Sequence, residues 1–363
     1  MTKDKNQLLI IEIVRFFAAF SVLVWHYQNF TFVNFEDINF VVTEQPFYSL
    51  LWPFYERGLL GVQIFWAVSG FIFFWKYKVK LAEHLITAKH FFILRFSRLY
   101  PLHLLTLLLV CGLQLLYISK TNSYFCYQFQ DLIHFIPHIF MASNWISSDL
   151  SFNGPIWSVS CEVVVYALFY LYITKLNPGI KPTLAIFLLC ALLSALHLDH
   201  NVTNCLKYFL LGGLSFDFFT LMQGSKNKRA VERNLIALLI LVLGILFTSY
   251  QLNILRFKHY TFVLLILIPF VLYFSPSKVN LSNRCVSLIN GAGNLTYSSY
   301  LTHFPIQLLM VNYFAYTHQA IPFYNNWFFV LYLLIVMIVS FFTYYLFEMP
   351  TQKYIRDRML GYS

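Results

Sequence analysis

The chain has 363 residues, of which 59% are hydrophobic, 20% aromatic and only 11% charged. This composition is more apolar than that of soluble domains, so it excludes a soluble globular protein and predicts an all-α polytopic integral membrane protein embedded in a lipid bilayer. The formal net charge of +10 could indicate a nucleic-acid binder, but the placement of the charges accounts for them through membrane topology. We therefore expect no nucleic-acid partner.

Ten apolar runs approach membrane length and predict about ten transmembrane helices. When the chain is threaded back and forth through these runs, most Lys and Arg residues fall on the side of the membrane that holds the N-terminus. Only Arg57, Lys120, Arg256 and Lys258 fall on the opposite side. This bias predicts that both termini are cytoplasmic, and an even number of spans requires them to share a side. The predicted spans are about 8–28, 58–77, 99–119, 156–174, 183–199, 205–222, 235–250, 260–274, 293–316 and 327–347.

The first span carries two polar side chains, Arg15 and His26. Eleven residues separate them, so on a helix they share one face and lie about 16 Å apart along it. A charged group inside a span costs roughly 2.5 to 3.5 kcal/mol and usually faces a protein interior or an aqueous cavity. The pair therefore indicates a functional site. A salt bridge from Arg15 to Glu12 and an interfacial position for His26 explain the pattern equally well.

The next two spans flank a basic segment. The second contains GVQIFWAVSGF, in which Gly61 and Gly70 allow another helix or a ligand to approach closely. Before the third span, RFSRLYP places Arg95 and Arg98 three residues apart on one helical face, where two guanidinium groups can grip phosphate oxygens. Helix packing is the alternative for the glycines, and attraction to anionic lipid is the alternative for the arginines.

Two later spans add polar side chains. WSVSCE opens the fourth and places Glu162 roughly 8 Å below the outer surface, near the expected depth of His26. At one depth, a carboxylate can orient an imidazole base if the helices are neighbours. YSSYLTHFP opens the ninth and puts Tyr297, Tyr300 and His303 on one side of a helix. Taken separately, Glu162 is equally well explained as a polar clasp, and His303 as a satisfied core group.

The remaining runs carry little chemistry. Spans five to eight are expected to form a scaffold, in which Lys207 is the only positive charge. FEMP ends the tenth span, where Glu348 is expected in solvent at the cytoplasmic edge. The six cysteines have no metal-ligand spacing, so we expect neither a metal site nor a disulfide framework. Lys3 and Lys5 precede an apolar run too long for a signal peptide, which we expect to be retained.

Together these motifs resemble the acyltransferase-3 family of integral membrane O-acyltransferases. The matching pieces run from residue 15 to residue 350: Arg15 with His26, GVQIFWAVSGF, RFSRLYP, WSVSCE, YSSYLTHFP and FEMP. The sequence departs from the family at Trp66, where Phe is usual, and at Val159, where Leu is common. The resemblance implies one membrane domain over residues 1–363, without the extracytoplasmic domain that longer relatives append.

The resemblance also implies an activity. The family transfers an acyl group, usually acetyl from cytosolic acetyl-CoA, to a hydroxyl of a sugar in a cell-surface or lipid-linked glycan, mostly in the bacterial inner membrane. On this basis acetyl-CoA is the expected acyl donor and a carbohydrate the expected acceptor. Arg95 and Arg98 would grip the CoA phosphates, and Arg15 would hold a phosphate or the pantetheine carbonyl.

Catalysis would then centre on His26. A neutral histidine can remove the proton of an alcohol near pH 7, so His26 is expected to be the general base, oriented by Glu162 or a nearby group. Tyr297, Tyr300 and His303 are expected to bind the acceptor or the oxyanion. A covalent acyl-His26 intermediate is the rival mechanism.

Two other functional classes fit a polytopic chain. A transporter or flippase of a glycan or lipid intermediate also has polar residues on buried faces, but the sequence has no convincing internal repeat. A polysaccharide polymerase or ligase is also polytopic and aromatic-rich, but it would not need arginines that bind CoA. Dependence on acetyl-CoA separates the acyltransferase from both.

Overall fold

The computed structural model describes residues 9–33, 40–145, 147–251, 260–276 and 281–361, and within these ranges it contains α-helices and no β-strand. The predicted all-α fold class is confirmed. In chain order the helices are α1 (Leu9–His26), α2 (Tyr48–Arg57), α3 (Leu60–Ala82), α4 (Ala88–Thr121), α5 (Leu132–Ile139), α6 (Trp157–Leu176), α7 (Ile180–Ala195), α8 (Asn201–Gln223), α9 (Lys228–Gln251), α10 (Tyr260–Phe274), α11 (Asn283–Asn294), α12 (Thr296–Thr317), α13 (Asn326–Thr343) and α14 (Met349–Leu360), with a π-helical turn, Tyr344–Glu348, between the last two.

Six helical segments are long and apolar enough to cross a membrane, which makes this a multi-pass membrane protein. They coincide with the first four, the sixth and the tenth predicted spans. Helices α7 and α10, at the fifth and eighth predicted spans, are apolar but shorter. The total of ten spans and the cytoplasmic termini stay predictions. The six segments are Leu9–Thr31, Leu60–Ala82, Ala88–Thr121, Gly154–Leu176, Asn201–Gln223 and Asn326–Leu360.

Helix α12, at the ninth predicted span, is polar rather than apolar. Every residue from Thr296 to Leu308 is buried, because polar side chains are costly against lipid and turn toward the protein interior. Its hydroxyls bond to the neighbouring helices. Tyr297 donates to the carbonyl of Leu99 on α4 at 2.6 Å, and Thr302 lies 3.1 Å from the hydroxyl of Ser340 on α13. The surrounding helices thus enclose α12.

The segment between α4 and α6 packs across one end of the bundle. The Gln114 side chain makes two hydrogen bonds to the backbone of Phe125, at 2.9 and 3.0 Å. Asn153 donates to the carbonyl of Leu301 on α12 at 3.2 Å, and the ring of Phe304 stacks against that of Phe125. The segment is therefore tied to α12 close to His303.

Helices α3 and α8 pack closely because glycines remove side chains from their contact. A Cβ atom added to Gly212 would lie 1.8 Å from the carbonyl oxygen of Ala67, and one added to Gly70 would lie 1.8 Å from that of Phe209. Real Cβ atoms do not approach a carbonyl so closely, so both positions require glycine. The glycine element of the second span is thus a helix-packing surface, one of its two interpretations.

We predict that Gly212→Ala separates α3 from α8 and destabilises the fold by about 1–3 kcal/mol, because the added methyl group overpacks a backbone contact. Thermal unfolding of the purified chain in detergent measures the effect. Gly244→Ala is the matched control, since a Cβ atom at Gly244 on α9 meets no atom within 4 Å. Equal melting temperatures for the two variants would contradict the close contact.

Candidate active site

A cavity of about 90 Å³ opens between α1, α3, α4, α6 and α12 and is continuous with solvent. Three guanidinium groups, those of Arg15, Arg95 and Arg98, face it together with one carboxylate, that of Glu162. The sequence suggested these side chains from three separate motifs, and the fold brings them to one wall. The rest of the lining is Val62, Phe65, Trp66, Val68, Ser69, Ile72, Phe73, Leu99, Ser158, Val159, Tyr166, Thr296, Tyr297 and Tyr300.

Arg15 is fixed by two helices. Its Nη1 lies 2.7 Å from Oε2 of Glu12 on α1, and its Nη2 donates to the hydroxyl of Thr296 on α12 at 2.8 Å. Only 12% of the Arg15 side chain is exposed. The salt bridge weighed as an alternative is therefore present, and it coexists with a position on the cavity wall.

Arg95 and Arg98 differ in how they are held. Nη2 of Arg95 donates to the hydroxyl of Tyr77 at 2.6 Å, and its guanidinium carbon lies 4.9 Å from the ring centroid of Phe73, a favourable cation–π contact. Within the described ranges, Nε of Arg95 has no hydrogen-bond partner, and Arg98 forms neither a salt bridge nor a hydrogen bond. Both arginines thus keep donors for an anion in the cavity.

Glu162 does not orient His26, which differs from the expectation based on depth. Its carboxylate accepts a short hydrogen bond from Tyr166 on the same helix. No contact joins it to His26 among the described side chains. Helix α6 packs on α3 and α8, so Glu162 faces the cavity beside the arginines. The depth expected from the sequence did not predict which helices are neighbours.

His26 instead pairs with His303. The two ring centroids lie 4.7 Å apart, with the planes tilted by 55°, and both side chains are buried. Nδ1 of His26 lies 2.9 Å from the carbonyl oxygen of Val22, which can only accept, so we assign the proton to Nδ1 and a free lone pair to Nε2. In the part of the chain described here, neither ring nitrogen of His303 has a hydrogen-bond partner. The two imidazole rings thus lie against each other, and Nε2 of His26 carries a lone pair in the assigned tautomer.

Tyr300 lies between the cavity and the two histidines. Its ring centroid is 6.0 Å from that of His303 and 6.2 Å from that of Phe65 on the cavity wall. Its hydroxyl donates to the carbonyl of Pro155 at 2.8 Å and lies 2.7 Å from the hydroxyl of Ser158. Because its hydroxyl is committed to these partners, Tyr300 presents mainly its ring to the cavity.

Comparison with known proteins agrees with this geometry. Residues 8–345 match a family model described as an acyltransferase domain, that of the acyltransferase-3 family. The chain belongs to this family. Acyltransferase MdmB of Streptomyces mycarofaciens is 26% identical over 162 residues, which are 44% of this chain and 37% of that relative's length. No solved structure matches the chain significantly. The chain is therefore a multi-pass member of this family.

One buried residue near the cavity was not predicted to be buried from the sequence. Glu348, expected in solvent, is only 7% exposed, and the hydroxyl of Ser298 on α12 donates to it at 2.5 Å. The π-helical turn Tyr344–Glu348 adds an extra residue to the helix and so turns this carboxylate toward the bundle. FEMP marked the position, but the sequence pattern did not predict the π-helical turn.

Of the possible ligands, the arginines that line the cavity favour an anion. Across the described ranges, no three His, Cys, Asp or Glu side chains are grouped to hold a metal ion. Arg15 is paired with Glu12, so Arg95 and Arg98 beside the carboxylate of Glu162 leave the cavity wall with one excess positive charge. In a site of low dielectric constant, such groups attract an anion more strongly than they do in water.

We predict that Gly293→Ala displaces Glu12 and loosens Arg15. A Cβ atom at Gly293 would lie 1.9 Å from Oε2 of Glu12 and 2.8 Å from its Cβ, so the carboxylate must move away from its present position. The expected loss of unfolding free energy is about 1–3 kcal/mol, measured by thermal unfolding, together with reduced acyl transfer.

Gly291→Ala provides the control for this variant. Gly291 lies two residues earlier on the same helix, and a Cβ atom there meets nothing within 4 Å. If both alanine variants behave like the wild type, the contact between α11 and Glu12 does not fix Arg15.

Proposed function

We propose that this membrane acyltransferase is an O-acetyltransferase, which moves acetyl from cytosolic acetyl-CoA to a hydroxyl of a sugar in a cell-surface or lipid-linked glycan. One observation carries the proposal. A single cavity begins at Arg95 and Arg98, and Tyr300 at its other end lies next to His303 and, through it, His26. The two arginines, which can bind the donor's phosphates, are thus connected through the cavity and Tyr300 to the histidine proposed as the base.

The arginines support an acyl-CoA donor. CoA carries a diphosphate and a further phosphate, and planar guanidinium groups bond such oxygens in pairs. Arg98 and Nε of Arg95 are the donors without protein partners in the described ranges. With these two residues on the phosphates, the pantetheine arm would run along α3 past Arg15 and bring the thioester toward Tyr300.

The two histidines support the transfer step. Nε2 of His26 takes the proton of the acceptor hydroxyl, the new C–O bond forms at the acetyl carbonyl, and the C–S bond to CoA breaks. The proton then leaves with the CoA sulfur. The Val22 carbonyl orients His26 in this scheme, and a neutral His303 donates an N–H to the oxyanion. Glu162 stays in the cavity as a partner of Tyr166 rather than as the orienter.

The proposed topology determines on which side of the membrane the arginines and His26 lie. With both termini in the cytoplasm, the start of α4 and its two arginines lie on the cytoplasmic side, where acetyl-CoA is found. His26, at the end of α1, then lies toward the opposite side, as does the segment between α4 and α6. Donor and acceptor would enter from different faces of the inner membrane.

We predict that His26→Ala abolishes acetyl transfer, because no other group takes the hydroxyl proton. Mass spectrometry of surface polysaccharide and lipid-linked glycan compares cells with the wild-type chain, the variant or no chain. An acetyl mass that depends on His26 is the expected result and also identifies the acceptor. Equal acetylation in the variant would remove His26 from the mechanism, and no acyl difference between cells with and without the chain would favour transport.

The matched control is His318→Asn. His318 is exposed and ends α12 with a positive φ of 54°, a conformation that asparagine adopts readily. This variant loses an imidazole far from the cavity and should acetylate as the wild type does.

We predict that Arg98→Gln raises the KM for acetyl-CoA about 10- to 100-fold with kcat largely kept. A hydrogen bond to a charged group is worth about 1.5 to 3 kcal/mol, and each 1.4 kcal/mol is a factor of ten. Initial rates of CoA release from membranes, measured against acetyl-CoA concentration, test this. Lys89→Gln removes an exposed cation from the same helix and should leave KM unchanged. An unchanged KM in Arg98→Gln would exclude the proposed phosphate contact.

A further inference from the structure

The cavity has a charged end and an aromatic end. At the charged end, the guanidinium of Arg95 packs on the ring of Phe73. Trp66 lies seven residues earlier on α3, about 10 Å along the helix at 1.5 Å per residue. At this second end, Phe65 and Tyr300 are neighbours, and Tyr300 leads to His303. An acyl-CoA whose phosphates lie at the arginines must place its acyl group at the aromatic end.

Trp66 is a rigid wall of that end. Its side chain is 1% exposed, and its indole N–H donates to the carbonyl of Ser158 on α6 at 3.3 Å. Its ring meets the ring of Trp157 edge to face, with centroids 5.7 Å apart. One turn earlier, Val62 is 2% exposed and lines the same end. With a hydrogen bond on one side and a ring behind it, the indole cannot swing out of the way.

The opposite wall is equally fixed. Tyr300 is held by the carbonyl of Pro155 and the hydroxyl of Ser158. Ser158 therefore contacts both aromatic walls, the tyrosine through its hydroxyl and the tryptophan through its carbonyl. The distance between the two rings is set by the first turn of α6, and an acyl chain between them meets two walls that do not yield.

We propose that Trp66, which stands where the family usually has Phe, narrows this end of the cavity further than Phe would, so that this chain admits acetyl and rejects acyl chains of four carbons. The inference rests on the proposed function, in which the thioester reaches the end of the cavity near His26. The bonds broken and formed are the same for every chain length: the thioester C–S bond breaks, the ester C–O bond forms, and the hydroxyl proton leaves with the CoA thiol. Chain length alters only the fit of the alkyl group against Trp66.

The size of the effect follows from pocket selectivity in general. Two substrates that differ by one methylene in a closed apolar pocket differ in kcat/KM by about 10- to 200-fold. Butyryl has two methylenes more than acetyl. We therefore expect the wild-type chain to prefer acetyl-CoA over butyryl-CoA by at least about 100-fold.

The test is a competition between donors. Membranes from cells that produce the full chain receive acetyl-CoA, propionyl-CoA and butyryl-CoA at equal concentration, and mass spectrometry gives the ratio of acyl groups on the endogenous glycan. Trp66→Phe shortens the wall and should raise the butyryl-to-acetyl ratio about tenfold or more. Val62→Ala enlarges the same end without disturbing the indole and should raise the ratio as well, so the test does not depend on one variant folding.

Trp327→Leu is the control. Trp327 lies on α13 with 80% of its surface exposed, so its removal should leave the ratio at the wild-type value. A wild-type chain that transfers butyryl as readily as acetyl would overturn the proposal. So would an unchanged ratio in both cavity variants while acetyl transfer persists. Absence of acyl transfer from all three donors would instead contradict the proposed function itself, and the length selection with it.

Discussion

A guanidinium group inside an apolar helix bundle is tolerated only if its charge is compensated and its N–H groups are bonded. Arg15 meets this condition with the carboxylate of Glu12 and the hydroxyl of Thr296, and the rest of the site depends on it. The bonds join α1 to α12. Glu12 in turn lies against Gly293 of α11, where a side chain would not fit. One buried charge therefore fixes three helices relative to each other.

The position of α12 then explains why the site is at the centre of the protein. Its polar side chains cannot face lipid, so the other helices surround it, and the groups it carries line internal space. Thr296 and Tyr297 face the cavity, while His303, further along the helix, meets the ring of His26. The spacing along one helix separates the two parts of the site by about two turns. The arginine-lined cavity and the pair of histidines are thus held apart by one helix rather than by loops.

The sequence predicted what depends on the geometry of single helices. Arg15 and His26 share a face of α1 because eleven residues amount to about three turns, and Arg95 and Arg98 share one because they are three residues apart. Which helices lie side by side was not predictable from such spacing. Glu162 was expected at the depth of His26 but belongs to a helix that packs on α3 and α8. His303 is the actual neighbour, and no periodicity relates it to α1.

Local irregularity set a second limit on sequence reasoning. Glu348 appeared to sit at a solvated helix end, because the pattern assumed a regular α-helix and a π-helical turn redirects the side chain. The span 293–316 was predicted and coincides with α12, but its apolar character did not predict that every residue from Thr296 to Leu308 is buried inside the bundle. The residues that deviate from a simple amphipathic pattern, Thr296, His303 and Glu348, are the ones that build or support the cavity.

The way His26 is oriented bears on the chemistry it can perform. The carbonyl of Val22, on the same helix, accepts from Nδ1 and so directs Nε2 away from that helix. A carboxylate in the same place would orient the ring equally well, but it would carry a full negative charge. A base in acyl transfer must take a proton from the alcohol and release it again to the departing sulfur. An orienting group without formal charge fixes the ring but adds no ion pair that would hold the proton on it. The backbone carbonyl therefore suits a residue that has to pass its proton on within one turnover.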